Sequence, residues 1–352
     1  MVTNKLVIDL LSTGSGGALK FAKAITLHRN LFEMEVILIV TEDLSDRIDI
    51  SEHDLVFDNN FAGIGRFIYS RRITKCLKKT FGDYYLLNPY QVGLKYGAKK
   101  MISVLRNMEP FLHHRYQYGI KQRSRNWMLY HMTLQTFRRS DSVISISKCT
   151  KRFLAEKNID SRLIPHGFDI TETPKRSQYS ADILVVGSIL PYRRIEDVLA
   201  GISKLEGHHG VKRHLTIIGE TVDSQYYKRL VSLSKRLEIY DRVSFLGKVK
   251  YEEVLGYMSK CTIFLNPSEI EACPNVAIES MMVCKYIIAV RNTALEEVYT
   301  DHVSYYDERD ITAMAKAILN PTENSQEDIP NWTWEKCMKR YNKIISNELL
   351  RN

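Results

Sequence analysis

Short apolar runs alternate with helix-period segments along nearly the whole chain, and this alternation restricts the fold more than any other feature. The apolar runs lack the in-and-out pattern of half-exposed strands, which is typical of parallel sheets covered by helices on both faces. The second half of the chain repeats the plan of the first. The pattern therefore predicts an α/β protein with two Rossmann-like domains in tandem. The predicted strands are 6–11, 36–40, 54–57, 84–87, 101–105 and 142–147, then 183–187, 215–219, 243–247, 263–266, 286–290 and 304–306.

The length of 352 residues also favours two domains. The polar stretch 171–179, which contains Pro174, predicts the boundary between them. We expect a first domain over 1–170, a second over 180–328, and a C-terminal helix within 329–352. In that last segment the spacing of Cys337, Tyr341 and Ile345 predicts one apolar helix face.

Composition excludes several classes of protein. With 44% hydrophobic and 26% charged residues, the chain is not expected to be disordered. It has no apolar run of about 18 residues, which a membrane-spanning helix would need, and its first residues do not resemble a signal peptide. Six cysteines without C-x-x-C spacing indicate free thiols in a reducing compartment. We therefore expect a cytoplasmic protein.

The net charge of +9 is concentrated in the first half. Residues 66–139 contain sixteen Lys or Arg and two acids, Asp83 and Glu109. Such a region favours anionic partners, among which lipid headgroups, pyrophosphate-linked lipid acceptors and nucleic acid are open alternatives. A solvated basic face with no specific partner would explain the same charge.

A glycine-rich turn follows the first predicted strand. Gly14, Gly16 and Gly17 precede a predicted helix, so backbone amides there could approach a phosphate or an acceptor closely. Leu19 stands where a dinucleotide fingerprint would have its third glycine. A plain strand-to-helix turn explains the glycines equally well.

Two acids follow the strand 263–266. Glu271 is expected on the loop at the carboxyl end of the strand, and Glu279 inside a helix whose first turn begins near Pro274. The free amides around Asn275 and Val276 would attract a diphosphate, while carboxylates accept hydrogen bonds from sugar and ribose hydroxyls. A solvated acidic first turn would explain Glu271, but it explains Glu279 poorly because that residue has apolar neighbours.

A basic segment follows the first strand of the second half. It contains Gly187, Ser188, Arg193 and Arg194. A guanidinium at this place could bind a diphosphate in a fork and neutralise the charge that develops on a leaving group. Taken alone, an arginine pair at a helix start is more often a surface feature.

Together these segments resemble the retaining GT-B glycosyltransferases of family four, also called glycosyl transferases group 1. The family hallmark of two glutamates separated by seven residues matches Glu271 and Glu279. The segment VGSILPYRR matches the family's strand, glycine and basic residue, and places Arg193 at the position that contacts the donor diphosphate. Further matches are Ile218-Gly219, the run 241–247, Asn266-Pro267-Ser268 and the segment 164–169. The resemblance covers nearly the whole chain and is strongest over 141–310.

The resemblance implies a fold and an enzyme class. Two Rossmann-like domains are expected to face each other across a cleft, with the C-terminal helix returning toward the first. The implied activity is hexosyl or glycosyl transfer from a nucleotide sugar, UDP-, GDP- or similar, with retention of anomeric configuration. The implied acceptor is a glycan, a lipid-linked or a protein-linked molecule. Peripheral contact with an anionic membrane is expected as a companion, nucleic acid is not favoured, and no cofactor is expected.

The resemblance also assigns residues. Glu271 and Arg193 are expected to be catalytic, and Glu279 to bind the nucleotide ribose. Donor contacts are expected from Pro274, Asn275, Val276, Gly187, Ser188, Arg194, Gly16 and Gly17. Ser188 replaces an arginine common in the family, so one cation of the usual pair is missing. The N-terminal histidine of many relatives has no clear match, which leaves Asn107, His113 and His114 as acceptor-side candidates.

The sequence lacks a D-x-D carboxylate pair, so a metal bridging the diphosphate is not expected. Two other classes of function remain as alternatives at this stage. One is a nicotinamide-dependent oxidoreductase, against which the missing third glycine speaks. The other is a basic protein that binds anionic membranes or nucleic acid through residues 66–139.

Overall fold

The alternating pattern of the sequence folds as two separate parallel sheets. The computed structural model describes residues 4–14, 16–168, 180–301, 303–324 and 332–350. The boundary predicted over 171–179 lies outside the described residues. By contacts the chain divides into two units: residues 1–107, 129–169 and 332–352 form the first, and residues 108–128 and 170–331 form the second.

Over the described residues, the first sheet consists of seven strands, all parallel. Its central strands are buried except at Lys5 and Tyr85, the first residues of two of them, as expected for a sheet covered on both faces. The strands are β1 Lys5–Asp9, β2 Glu35–Thr41, β3 Leu55–Phe57, β4 Tyr85–Asn88, β5 Met101–Leu105, β6 Ser142–Ser145 and β7 Arg162–Leu163. Their order across the sheet is β3-β2-β1-β4-β5-β6-β7. The helices over this part of the chain are α1 Gly17–Leu27, α2 Glu42–Ser45, α3 Gly65–Ile68, α4 Ser70–Phe81, α5 Glu109–Leu112, α6 Ile120–Arg139 and α7 Lys148–Glu156.

The second sheet, in the part of the chain that the structure describes, has six parallel strands. Its strands are β8 Ala181–Val186, β9 Leu215–Ile218, β10 Val243–Gly247, β11 Cys261–Asn266, β12 Ile287–Val290 and β13 Ser304–Tyr306. Their order across the sheet is β10-β9-β8-β11-β12-β13. Its helices are α8 Ile195–His209, α9 Ser224–Arg236, α10 Tyr251–Lys260, α11 Asn275–Val283, α12 Thr293–Tyr299 and α13 Ile311–Leu319. Helix α14, Trp334–Leu350, follows. Both sheets thus have the strand order of a Rossmann fold, which confirms the predicted fold class.

The strand order reverses between β8 and β11, which are hydrogen-bonded neighbours in the second sheet. In open parallel sheets, ligands bind beyond the carboxyl ends of the strands at such a reversal. Gly187 directly follows β8, and Glu271 follows β11 after a short loop. The topology of the second unit therefore places both predicted segments at the position where a ligand is expected.

The C-terminal helix α14 packs within the first unit, as expected. Its buried face includes Cys337, Tyr341 and Ile345. Tyr341 contacts Phe21 of α1 edge to face, with ring centroids 5.6 Å apart. A second attachment precedes the helix, where the Phe168 amide donates to the Trp332 carbonyl oxygen. Apolar burial along α14 therefore joins the end of the chain to the first sheet's helical layer.

The segment 108–128 groups with the second unit although it precedes β6 of the first sheet. The Gly119 amide donates to Asp223 Oδ2 at 2.8 Å, and Asp223 also caps α9. Arg115 forms an ion pair with Glu308 at 2.9 Å. These contacts hold the segment on the second unit, so the division of the chain is less simple than a single boundary near residue 170.

Candidate active site

A glycine at the end of β8 makes room for the guanidinium of Arg193. Gly187 has φ of +148°, and a β-carbon there would lie 3.0 Å from Arg193 Cζ. Gly219, at the end of β9, is also close to this loop, because a β-carbon there would lie 1.9 Å from the Gly187 carbonyl oxygen. Two glycines on neighbouring strands therefore allow the loop after β8 to fold inward with the guanidinium against it.

Arg193 and Glu271 form a close ion pair. Arg193 Nη1 donates to Glu271 Oε1 at 2.5 Å, and the two side chains are only 16% and 12% exposed. Burial opposes the charged guanidinium, but Glu271 and Tyr192 together raise the pKa of Arg193 above its usual value. Arg193 Nε is buried and has no hydrogen-bond partner among the described residues. The guanidinium is thus permanently charged and keeps one unused donor.

Helix α11 begins beside this loop without a side-chain cap. Pro274 is the capping residue, one position before the helix, and Asn275 and Val276 are its first two residues. The first amides of a helix have no partner within it, and the helix dipole makes that end attractive to anions. The Asn275 side-chain oxygen Oδ1 is buried and has no hydrogen-bond partner among the described residues. The start of α11 can therefore bind an anion through its backbone.

Glu279 lies one turn into α11 and is buried. Tyr251, the first residue of α10, donates its hydroxyl to Glu279 Oε1 at 3.2 Å. The next residue of α11 is held as well, since Ser280 Oγ lies 3.0 Å from the Tyr299 hydroxyl. These contacts fix the part of α11 that carries the Glu279 carboxylate.

Arg194 is engaged by carboxylates of its own segment. Asp197 accepts from Arg194 Nε at 2.9 Å and from Nη2 at 2.7 Å, and Glu196 accepts from Nη1 at 2.6 Å. Arg194 adopts a left-handed backbone conformation, with φ of 47°, directly before α8. Its predicted contact with the donor stays a prediction, but its guanidinium is already satisfied by these acids. Ser188 lies in the same loop, half-buried, ahead of both arginines.

The first unit contains the remaining donor candidates, Gly16 and Gly17. Gly16 precedes α1 with φ of +64° and open space around its α-carbon, and Gly17 is the first helical residue. Asn107, an acceptor-side candidate, follows β5 in the same unit. Its backbone amide and carbonyl oxygen both bond to the Gln91 side chain, at 2.8 and 3.1 Å. The start of α1 and the loop at Asn107 thus both lie in the first unit, and the roles of Gly16, Gly17 and Asn107 stay predictions.

His113 and His114 lie in the segment 108–128 and hence in the second unit. His113 Nδ1 donates to the Pro110 carbonyl oxygen at 2.8 Å, which fixes its ring, whereas His114 is exposed. The sequence suggested a first-domain position for both, but the contacts of Gly119 and Arg115 carry this segment to the second unit. Asn107 and the two histidines therefore do not belong to one unit.

Two tyrosines of the second unit were not predicted as site residues. The Tyr192 ring lies under the Arg193 guanidinium, 5.1 Å from its centroid to Cζ, and burial raises the pKa of its hydroxyl to about 12. Tyr251 bonds the Glu279 carboxylate, as described. A tyrosine directly before the arginine was visible in the sequence, but nothing in the residues near Tyr251 indicated its contact with a residue 28 positions away.

Replacing Gly187 with alanine is expected to disturb both the site and the fold. The added β-carbon would meet Arg193 Cζ at 3.0 Å, and the positive φ disfavours any side chain. We expect nucleotide affinity to fall about tenfold, together with a loss of roughly 1–3 kcal/mol of unfolding free energy. Calorimetry and denaturant unfolding measure the two effects. As a control, Gly207→Ala on α8, where nothing lies within 4 Å, should leave nucleotide affinity unchanged.

The candidate site lies in a part of the chain that matches a known family model. Residues 170–333 match the family model for glycosyl transferases group 1. An uncharacterized glycosyltransferase of Methanocaldococcus jannaschii is 23% identical over 345 residues, which span 88% of this chain and 93% of that protein. The gpi3 subunit of phosphatidylinositol N-acetylglucosaminyltransferase from Schizosaccharomyces pombe is 24% identical over 208 residues, 55% of this chain and 44% of the subunit.

Solved structures show the same fold. The structure of the Anabaena protein HepE in complex with UDP has a TM-score of 0.62 and 17% identity, and the likeness spans 98% of this chain and 95% of that one. The chain matches glycosyl transferases group 1 over residues 170–333, the part that carries Arg193, Glu271 and Glu279. It is a glycosyltransferase with the GT-B fold, which confirms the resemblance and removes support from the oxidoreductase alternative.

Proposed function

We propose that the protein transfers a sugar from a nucleoside diphosphate donor, bound in the second unit, to a glycan or lipid-linked acceptor. We further propose that the anomeric configuration is retained and that no metal ion takes part. The observation that carries the proposal is the partly buried Arg193–Glu271 pair next to the uncapped start of α11. The cation and the helix dipole would hold a diphosphate, and the carboxylate would bind a sugar beside it.

The diphosphate would take the place that the Arg193–Glu271 contact partly fills. Arg193 has an unused Nε donor, and the amides of Asn275 and Val276 offer more donors. In a site shielded from water, such fixed donors stabilise charge on a departing group far better than solvent does. Since these groups can carry the negative charge, a bridging metal is not required for the proposed reaction.

The two carboxylates would bind the two sugar rings of the donor. Glu279 accepts a hydrogen bond from the Tyr251 hydroxyl, and its carboxylate would also accept hydrogen bonds from ribose hydroxyls. Glu271 would accept hydroxyls of the transferred sugar once the diphosphate has replaced it as the partner of Arg193. Retention is proposed from the family. Attack by the acceptor on the face from which the diphosphate leaves needs no covalent nucleophile.

The nature of donor and acceptor is proposed from chemistry and from relatives. The Anabaena structure contains UDP, which makes UDP sugars the first donors to test. The name of the Schizosaccharomyces pombe relative refers to phosphatidylinositol. Together with the sixteen basic residues over 66–139, this favours a lipid-linked acceptor and a cytoplasmic protein in peripheral contact with an anionic membrane. None of the helices in the described part of the chain is long and apolar enough to cross a bilayer.

A screen for slow donor hydrolysis tests the function without knowledge of the acceptor. The purified protein is incubated with a panel of UDP, GDP and other nucleotide sugars, and release of the free nucleotide is followed. One donor is expected to be hydrolysed well above the rate of the protein-free solution, with and without a chelator. Equal rates for all donors and for buffer alone would contradict the proposal, and activity abolished by the chelator would contradict its metal independence.

Replacing Glu279 with glutamine is expected to weaken nucleotide binding about 10- to 100-fold. The amide keeps the shape of the side chain, but its NH₂ group would face a ribose hydroxyl or the Tyr251 hydroxyl in place of an acceptor oxygen. Calorimetry with UDP and GDP measures the change. Glu156→Gln, an exposed position on α7, serves as the control and should bind like the wild type. Unchanged affinity in the Glu279 variant would show that this acid does not contact the nucleotide.

A further inference from the structure

The part of the basic region that lies in the first unit contains one continuous exposed stripe. It lies on the nearly continuous helix that α3 and α4 form together. The backbone bonds from the Tyr69 amide to the Gly65 carbonyl oxygen, 2.8 Å, and from the Ile73 amide to the Tyr69 carbonyl oxygen, 3.0 Å, join α3 to α4. Residues four or three apart on a helix share a face. The exposed residues at this spacing, here called the basic stripe, are Ile64, Ile68, Arg72, Lys75 and Lys79, with Arg71 beside them.

The opposite face of the same helix is anchored in the core. Ile73 and Leu77 are completely buried, and a β-carbon at Gly65 would lie 1.7 Å from the Asn60 carbonyl oxygen. The buried Arg66 reaches Asp9 at 3.4 Å. The basic stripe is therefore presented by a rigid element.

The charge of the basic stripe is not neutralised within its own segment. No acidic residue occurs between Asp58 and Asp83 in the sequence. Asp83 pairs with Lys78 at 3.5 Å and with Lys99 at 3.0 Å, both outside the stripe. The cations of the stripe thus face solvent as a field of one sign, which attracts a surface of negative charge.

The two isoleucines at one end of the basic stripe favour a lipid bilayer over nucleic acid as the anionic partner. Ile64 and Ile68 are 70% and 67% exposed, one turn apart. Aliphatic side chains neither stack on bases nor bond phosphates, so they add nothing to nucleic-acid binding, whereas they gain from burial among acyl chains. Tyr69, the aromatic residue between α3 and α4, packs against Phe61 with ring centroids 4.7 Å apart and so is not free to stack on bases.

We infer that the basic stripe is a docking surface for an anionic lipid bilayer, with Ile64 and Ile68 entering the acyl boundary and the cations contacting headgroups. Because the larger part of the helix's apolar surface is buried in the protein, attraction between charges dominates, and docking is reversible and weakens with salt. The inference deepens the proposed membrane contact, but it depends on the first unit alone and not on the transfer chemistry.

Vesicle flotation tests the inference. The wild type is mixed with vesicles of phosphatidylcholine alone or with added phosphatidylglycerol, at low and high salt. Binding is expected only with phosphatidylglycerol and only at low salt. Arg72→Ser, Lys75→Ser and Lys79→Ser combined should weaken it roughly a hundredfold. The combined variant Lys228→Ser, Lys235→Ser and Arg236→Ser on α9 removes the same charge and should bind nearly as well as the wild type.

A second pair of variants tests the contribution of Ile64 and Ile68 to vesicle binding. Ile64→Ser with Ile68→Ser should reduce vesicle binding several-fold, whereas Leu27→Ser with Val222→Ser, two other exposed apolar positions, should not. Circular dichroism and vesicle-free donor hydrolysis, unchanged in every variant, show that fold and proposed chemistry are intact. Hydrolysis absent in all proteins while vesicle binding follows the stripe would refute only the proposed function. Equal loss in the stripe and control variants, binding to neutral vesicles, or a stripe-dependent shift of DNA or RNA without vesicle binding would overturn the docking surface.

Discussion

The variant Arg193→Gln is expected to transfer sugar roughly 10²- to 10³-fold more slowly than the wild type, the usual effect of removing one fixed donor from a developing charge. Arg193 is the cation of the site whose Nε has no partner among the described residues. Loss of Arg193 also leaves the Glu271 carboxylate, only 12% exposed, without its counter-charge. Because an uncompensated carboxylate repels a diphosphate, nucleotide affinity should fall in parallel with the transfer rate. Initial rates with a donor found by the hydrolysis screen, and calorimetry with the matching nucleotide, measure both effects.

Arg194→Gln is the matched control for this prediction. The neighbouring arginine is held in a fork by Asp197 and by Glu196, so its loss should lower the unfolding free energy by about 1–3 kcal/mol. The transfer rate of the folded variant should remain within a few-fold of the wild type. If the two variants changed places, with a slow Arg194 variant and an active Arg193 variant, the assignment of the diphosphate to Arg193 would be wrong.

The second large effect is expected for Glu271→Ala, which should also reduce sugar transfer about 10²- to 10³-fold. In this variant the sugar-transfer rate should fall while the affinity for the free nucleotide does not. The free nucleoside diphosphate should bind as tightly as to the wild type or more tightly, because it no longer competes with the carboxylate for the Arg193 guanidinium. Calorimetry with the nucleotide and rate measurements with the nucleotide sugar distinguish the two effects.

Glu271→Gln refines that experiment. The glutamine keeps the side chain's size and can still accept one hydrogen bond, but it cannot neutralise Arg193. Transfer by this variant should lie between the wild type and the alanine variant. A Glu271→Ala protein that transfers at the wild-type rate, or that loses nucleotide binding and transfer equally, would show that this carboxylate is not the group that holds the sugar.

The fold was predictable to the level of individual strands because strand-like runs recur between helix-period segments along the chain. The predicted strands 101–105, 243–247 and 304–306 agree with β5, β10 and β13 residue for residue. The two-residue strand β7 was missed, since Arg162 and Leu163 at a sheet edge carry no run that could be recognised. The grouping of the segment 108–128 with the second unit could not be predicted from the sequence either. It depends on contacts such as that of Gly119 with Asp223, 104 positions away.

The candidate site was predictable where chemistry is local in sequence. Glu271, Glu279 and the start of α11 lie within one short segment, and strand order alone brings Arg193 to the same end of the sheet. Side-chain partnership could not be predicted. Two adjacent arginines look equivalent in the sequence, yet Arg193 turns to Glu271 while Arg194 turns to Asp197. The difference comes from the left-handed backbone at Arg194 and from the space left by Gly187.

A structure of the protein with its donor nucleotide would show whether Arg193 and the start of α11 bind the diphosphate. We expect the diphosphate within hydrogen-bonding distance of the Arg193 guanidinium and the amides of Asn275 and Val276, with the ribose hydroxyls on Glu279. In that complex, Glu271 should have released Arg193. A nucleotide bound elsewhere in the second unit or only to the first, with the Arg193–Glu271 pair still closed, would contradict this expectation.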